Sequence, residues 1–215
     1  MVAMEGGKNA MTFKSLFYDL VVSRYYDDEV AEATTDVRTR CVELLDIESG
    51  DIVLDLGCGS GLNHPFIAEA VGAEGRIIGL DASSAMLDLA EDRAREQGYR
   101  DKLKLIQGDA RKMSELISES PDKVMTTLFF SVVPDWQSVF SASYRLLNAG
   151  GRYLVMDTFW EKPNLAARFL ITRYAAKAAV PGFKPLEESC EDYHFENFPP
   201  DIEPGFYIAV GRKSL

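Results

Sequence analysis

Three glycines and three acids stand where a chain can cradle a nucleoside-like ligand. Gly57, Gly59 and Gly61 fall in the run Asp55-Leu56-Gly57-Cys58-Gly59-Ser60-Gly61, with Asp55 two residues ahead of the first. A glycine turn lets backbone approach a ligand without Cβ collisions. Asp81 follows Gly61 by 20 residues, and a third acid sits in Gly108-Asp109-Ala110. A carboxylate placed like Asp81 can accept hydrogen bonds from a pair of ribose hydroxyls. One placed like Asp109 can take an adenine amino group while the Ala110 N–H meets a ring nitrogen.

These groups meet one ligand only if the chain brings them to one edge. Ile52 to Leu56, Arg76 to Leu80, Leu103 to Ile106, Lys123 to Leu128 and Arg152 to Met156 read as five short buried strands. Helical patterns separate them. Asn63 caps one, with Pro65 in its first turn. Ser83 or Ser84 caps the next, whose apolar face is Met86, Leu87, Ala90 and Ala94. Trp136, Val139, Phe140, Ser143 and Leu147 mark another. Strands alternating with helices predict a doubly wound, Rossmann-like α/β sheet. Tyr193 to Phe198 and Phe206 to Gly211 then read as an antiparallel C-terminal strand pair, completing seven strands. Asp28 to Leu45 is an amphipathic helix ahead of the sheet, and Leu165 to Ala179 a helix beyond the fifth strand. We expect residues 1–45 to form an N-terminal tail and lid helices, packed on one domain spanning 46–215.

Such a sheet binds its ligand at the carboxyl ends of the strands, where all three acids fall. A dinucleotide fingerprint would place a glycine at position 62, where this chain has Leu62. Asp55 suits a ligand with a cationic amino-acid portion and is poorly matched to a pyrophosphate. The contrast favours S-adenosylmethionine (SAM) over a nicotinamide dinucleotide. The segment Val53 to Gly61 resembles motif I of the class I SAM-dependent methyltransferases. Gly79-Leu80-Asp81-Ala82-Ser83 with Met86 resembles their motif II, and Gly108-Asp109-Ala110 their adenine motif. Asn148-Ala149-Gly150-Gly151 stands where many relatives have Lys-Pro-Gly-Gly. The resemblance implies SAM as cofactor, S-adenosylhomocysteine as product, and a binding set of Asp55, Gly57, Cys58, Gly59, Gly61, Asp81, Ala82, Met86, Asp109, Ala110 and Phe129.

Methyl transfer from a sulfonium is an in-line displacement in which positioning does much of the work, so no universal catalytic residue is expected. Candidates that could touch the acceptor or take a proton are Tyr18, Asp157 after the fifth strand, and His64 behind the glycine turn. Each also has a plain reading: Tyr18 as lid packing, Asp157 as a solvated strand end, His64 as a structural residue before Pro65.

The formal charge of −11 works against a sequence-independent grip on nucleic acid. Cys41, Cys58 and Cys190 have no metal-ligand spacing, which argues for no metal and for a reducing, cytoplasmic setting. The opening residues, Met1 to Met11, lack the apolar core of a secretory signal and read as a frayed tail or leader. Tyr18-Asp19 and Gly59-Ser60-Gly61-Leu62-Asn63 are similar to the ubiquinone/menaquinone C-methyltransferases and the short bacterial phospholipid N-methyltransferases. That likeness implies a small lipophilic acceptor. Arg168, Arg173 and Lys177 in the 165–179 helix raise a peripheral membrane contact, against the simpler arrangement in which that helix packs its apolar side on the sheet. A non-catalytic SAM-binding protein and a nicotinamide-dependent oxidoreductase are the alternatives from other classes. The sequence is silent on oligomeric state.

Overall fold

The computed structural model describes residues 23–173, 176–200 and 205–215. The first half comprises α1 (Ser23–Leu45), β1 (Ile52–Leu56), α2 (His64–Ala70), β2 (Arg76–Asp81), α3 (Ser84–Glu96), β3 (Leu103–Gln107) and α4 (Met113–Leu116). The second comprises β4 (Lys123–Thr127), α5 (Trp136–Leu146), β5 (Arg152–Thr158), α6 (Leu165–Arg173), α7 (Lys184–Ser189), β6 (Cys190–Phe198) and β7 (Phe206–Lys213). The strands form one sheet in the order β3-β2-β1-β4-β5-β7-β6. The first five pair in parallel, and β7 lies antiparallel between β5 and β6.

Side-chain alternation along the strands feeds two cores. Leu54, Leu56, Ile78, Leu80, Tyr153 and Val155 pack on Met113 of α4, Trp136, Val139 and Phe140 of α5 and Leu186 of α7. Val53, Ile77, Met125, Leu154 and Ile208 pack on the other face against Val37, Cys41 and Leu45 of α1 and Ile67 of α2. The C-terminal half of α1 is therefore core. Its Arg40 adds a two-pronged pair to Glu196 of β6, at 2.8 and 3.0 Å. Local signals set the ends of α3: the Ser83 hydroxyl accepts the Met86 N–H, and Gly98 follows the last turn with φ +77°.

The region after β5 departs from the expected pattern. The helix there is described as far as Arg173 and does not reach Ala179. Phe159 pairs with Ala179, the Trp160 N–H donates to the Ala178 carbonyl and the Lys177 N–H to Ser131. These main-chain bonds draw 177–179 to the ends of β4 and β5, so Lys177 shares no helical face with Arg168 and Arg173. On α6 Ala167 is buried and Ile171 half-buried, whereas Leu165 is 86% and Phe169 66% exposed. No helix among the described residues is long and apolar enough to cross a membrane.

Candidate functional site

The strand order reverses between β1 and β4, and an open α/β sheet binds ligands in the crevice at such a point. The turn after β1 is fastened to the end of β2. The Gly57 and Cys58 N–H groups donate to the Leu80 carbonyl, and the Gly59 N–H to Asp81 Oδ2 at 2.9 Å. Asp81 Oδ1 accepts the Ser83 N–H, also at 2.9 Å. Each carboxylate oxygen keeps a second lone pair for a further donor. Burial pushes the Asp81 pKa above the usual carboxylate range, against these N–H groups.

The three glycines have different neighbours. A Cβ on Gly57 would lie 2.2 Å from the Phe129 ring, and one on Gly61 would lie 2.6 Å from His64 Nδ1 and 3.1 Å from the Ala90 Cβ. These two serve close packing of the protein on itself. Gly59, at φ +54°, has nothing within 4 Å of its Cβ position and so leaves the open side of the turn. Phe129 is carried over Gly57 by the end of β4, where Leu128 takes a left-handed φ of +53°.

Asp55 is fully buried and its carboxylate is met from within the fold. Asn63 Nδ2 stands 3.1 Å from both of its oxygens and 3.0 Å from Thr127 Oγ1. Arg38, reaching in from α1, donates to Asn63 Oδ1, to Thr127 Oγ1 at 3.2 Å and to Thr34 Oγ1 at 2.9 Å. Asn63 occupies the N-cap position of α2 as expected, yet its side chain makes no cap bond, because this buried network claims it. None of Arg38, Asn63 or Thr127 stands out in the sequence as a site residue, although a polar side chain directly behind a glycine turn was a usable hint.

At the third strand end Asp109 caps a short 3-10 turn (Ala110–Lys112) and pairs with Arg111, whose Nε is 2.9 Å from each oxygen. The guanidinium holds the Asp109 carboxyl below its ordinary pKa. The expected free acid is thus an ion pair already, and a basic residue two positions after the acid was the signal for it. Ala82 is exposed at the mouth, and Met86 is buried behind it at the start of α3. Cys58 is buried inside the turn, and burial pushes its thiol pKa up.

Of the three catalytic candidates, none is presented to a ligand by the described residues. Asp157 is fully buried, accepting the Ser131 N–H at 2.9 Å and the Thr158 N–H at 2.8 Å. Loss of hydration raises its pKa to about 6; Oδ2 ties β5 to the turn after β4, Oδ1 accepts from its own strand, and the side chain is closed off from solvent. His64 lies beneath the glycine turn, fully buried, with Nε2 3.3 Å from Asp55 Oδ2 and neither ring nitrogen in hydrogen-bond geometry. His64 is the first residue of α2, with Pro65 next in its first turn, and the imidazole ring of His64 fills the space between Gly61 and Gly79. Tyr18 lies outside the described residues. Among the described residues no group of three His, Cys, Asp or Glu is placed to hold a metal.

A separate cavity of about 740 Å³ opens along the same sheet edge, beside β5, β7 and β6. Its walls include Phe159, Phe183, Phe195 and Tyr207, with Lys162 and Asn164 also lining it. The ring of Phe183 meets those of Phe159, Phe195 and Tyr207 edge-on at centroid distances of 5.5, 5.2 and 5.3 Å. The stretch from Phe159 to Phe183 reads from the sequence as the place for a substrate lid, but Phe195 and Tyr207 do not stand out, because they come from two antiparallel strands far along the chain.

Residues 53–151 match the family model described as a methyltransferase domain. A demethylmenaquinone methyltransferase of Lactobacillus johnsonii is 35% identical over 121 residues, covering 56% of this chain and 49% of the relative. Methyltransferase GfsG of Streptomyces halstedii is 28% identical over 195 residues, covering 88% and 66%. The chain thus spans about half the length of the first relative and just under two thirds of the second. The fold matches geranyl diphosphate C-methyltransferase from Streptomyces coelicolor at a TM-score of 0.68 and 16% identity, over 84% of this chain and 78% of that one. The stretch from β1 to the turn before β5 is thus similar to a methyltransferase domain, and the fold is that of a solved C-methyltransferase.

Proposed function

We propose that this protein transfers a methyl group from SAM to a small lipophilic acceptor, a quinone ring or a lipid amine. The observation that carries the SAM half is the open face of Gly59 beside Asp81, at the point where the strand order reverses. In this reading the remaining lone pairs of Asp81 take the ribose hydroxyls, and Ala82 and Met86 border the adenosine. Asp109 and Ala110 meet the adenine edge, with Arg111 holding the acid in place. Gly57, Cys58 and Gly61 shape the turn, Phe129 walls it, and Asp55 acts from behind through Asn63. When bound, SAM supplies an activated methyl on a sulfonium, and the protein's own task is to hold an acceptor in line with it and keep water away.

The aromatic cavity is the place for that acceptor. Its volume suits a small ligand, and its edge-to-face rings offer an apolar wall beside the polar Glu161, Lys162, Asn164 and Asn197. The cavity lies two to four strand spacings from β1, about 10–20 Å, along the same edge of the sheet. The menaquinone-directed name of the Lactobacillus relative supports a lipophilic acceptor. Methylation of a ring carbon or an amine releases a proton, and the buried Asp157 and His64 are not placed to take it from an acceptor.

The test is transfer of labelled methyl from SAM into fractionated lipid and polar extracts. Label in the lipid fraction is expected. Label in polar metabolites alone contradicts the acceptor class, and label in neither contradicts catalysis.

A further inference from the structure

The helix α6 turns apolar side chains to the outside as well as toward its own domain. At about 100° per residue, Leu165 and Phe169 stand about 40° apart, with Arg168 beyond one and Arg173 beyond the other. Leu165 is 86% and Phe169 66% exposed, whereas Ala167 is buried. The outward face therefore has two large apolar side chains at its centre and guanidinium groups at both margins. A water-facing helix places its apolar residues on the opposite side.

The charge around this helix runs against that of the whole chain. The segment 159–182 carries Lys162, Arg168, Arg173 and Lys177 against the single acid Glu161, in a protein of net charge −11. A local basic margin around exposed apolar side chains suits an anionic lipid surface. With nine residues the helix lies on a bilayer and cannot span one. Lys162 and Asn164, just ahead of it, line the aromatic cavity. The helix thus begins at the rim of that cavity.

We propose that α6 docks the protein on anionic membrane surfaces and turns the mouth of the aromatic cavity toward the lipid. Leu165 and Phe169 enter the interfacial region while Arg168 and Arg173 meet lipid phosphates. The use of the docked state as an entry route for the acceptor rests on the function proposed above; the docking itself does not.

The test is co-sedimentation of the full chain with phosphatidylglycerol/phosphatidylcholine vesicles and with pure phosphatidylcholine vesicles. Binding to the anionic vesicles is expected to exceed binding to the neutral ones by about tenfold or more, and to weaken from about 0.1 M to about 1 M salt. The double variant L165N/F169N is expected to lose about tenfold in partition while keeping its far-UV circular dichroism and its SAM binding. Wild-type protein that stays in solution with both vesicles overturns docking. Equal binding by wild type and double variant overturns the assignment to α6. Light scattering that finds a dimer dissociated by L165N/F169N also overturns it, assigning the apolar pair to a second copy of the chain. Methyl transfer without vesicle binding defeats only this inference, and vesicle binding without methyl transfer defeats only the proposed function.

Discussion

The Gly59 N–H donates to Asp81 Oδ2 at 2.9 Å, so the open glycine of the turn and the acid after β2 form one unit. A substitution at Asp81 should act on the turn and on a bound ribose together. Asp81→Ala is expected to weaken SAM binding by about tenfold to hundredfold, the worth of one hydrogen bond to a charged group. Asp81→Asn, which keeps an acceptor for Gly59, should lose less. The raised Asp81 pKa adds a pH dependence: affinity should begin to fall above the usual carboxylate range as pH drops, since protonation removes an acceptor. Calorimetry across pH checks both; a loss below about threefold in Asp81→Ala speaks against the assignment.

The neighbours of the glycines separate binding from folding. Gly61→Ala drives a methyl into His64 and Ala90, so its main effect should be on thermal stability, by about 1–3 kcal/mol. Gly59→Ala meets no protein atom and costs only the left-handed strain, about 1–2 kcal/mol. Its methyl enters the space given to the ligand, so its SAM affinity should fall by more than its stability explains. Melting curves with and without SAM distinguish the two, and equal ligand-induced shifts in both variants would contradict the difference.

Asp157 gives a stability signature with a definite sign. Its pKa is near the ordinary carboxylate value unfolded and about 6 folded, so between these values the folded chain binds the extra proton. Its contribution is therefore fully present at low pH and lost as pH rises through about 6. Relative to Asp157→Asn, the wild type should gain up to about 3 kcal/mol between about pH 7 and about pH 4. Urea denaturation of both proteins measures the difference, which removes the titration of other carboxylates. A flat difference contradicts the burial argument.

The network behind the turn predicts a coupling from α1 to the site. Asn63→Ala leaves the buried Asp55 side chain without its amide donor, at a cost of about 1–3 kcal/mol. Arg38→Met should share that loss in a double-mutant cycle, since it acts through the same amide. Strict additivity in chemical denaturation would show that the two act separately.

What was legible in the sequence follows from how local its cause is. Five parallel strands, the apolar face of α3 and the acids at three strand ends are written in runs of a few residues. The sheet edge that collects them follows from the α/β alternation. Asn63 was misread as a simple cap because its partners Arg38 and Thr127 lie 25 and 64 residues away. The helix after β5 was drawn too long for a similar reason: its composition is helical, but the Phe159 to Ala179 pairing ends it from outside. The aromatic cavity joins Phe159 to Tyr207 through a chain reversal that no window of sequence contains.

The most direct measurement of the central claim is calorimetric titration of the protein with SAM, beside a titration with NADH. The account predicts saturable one-to-one binding of SAM, weakened in Asp81→Ala, and no binding of NADH. Tight binding of NADH with no heat from SAM would contradict it.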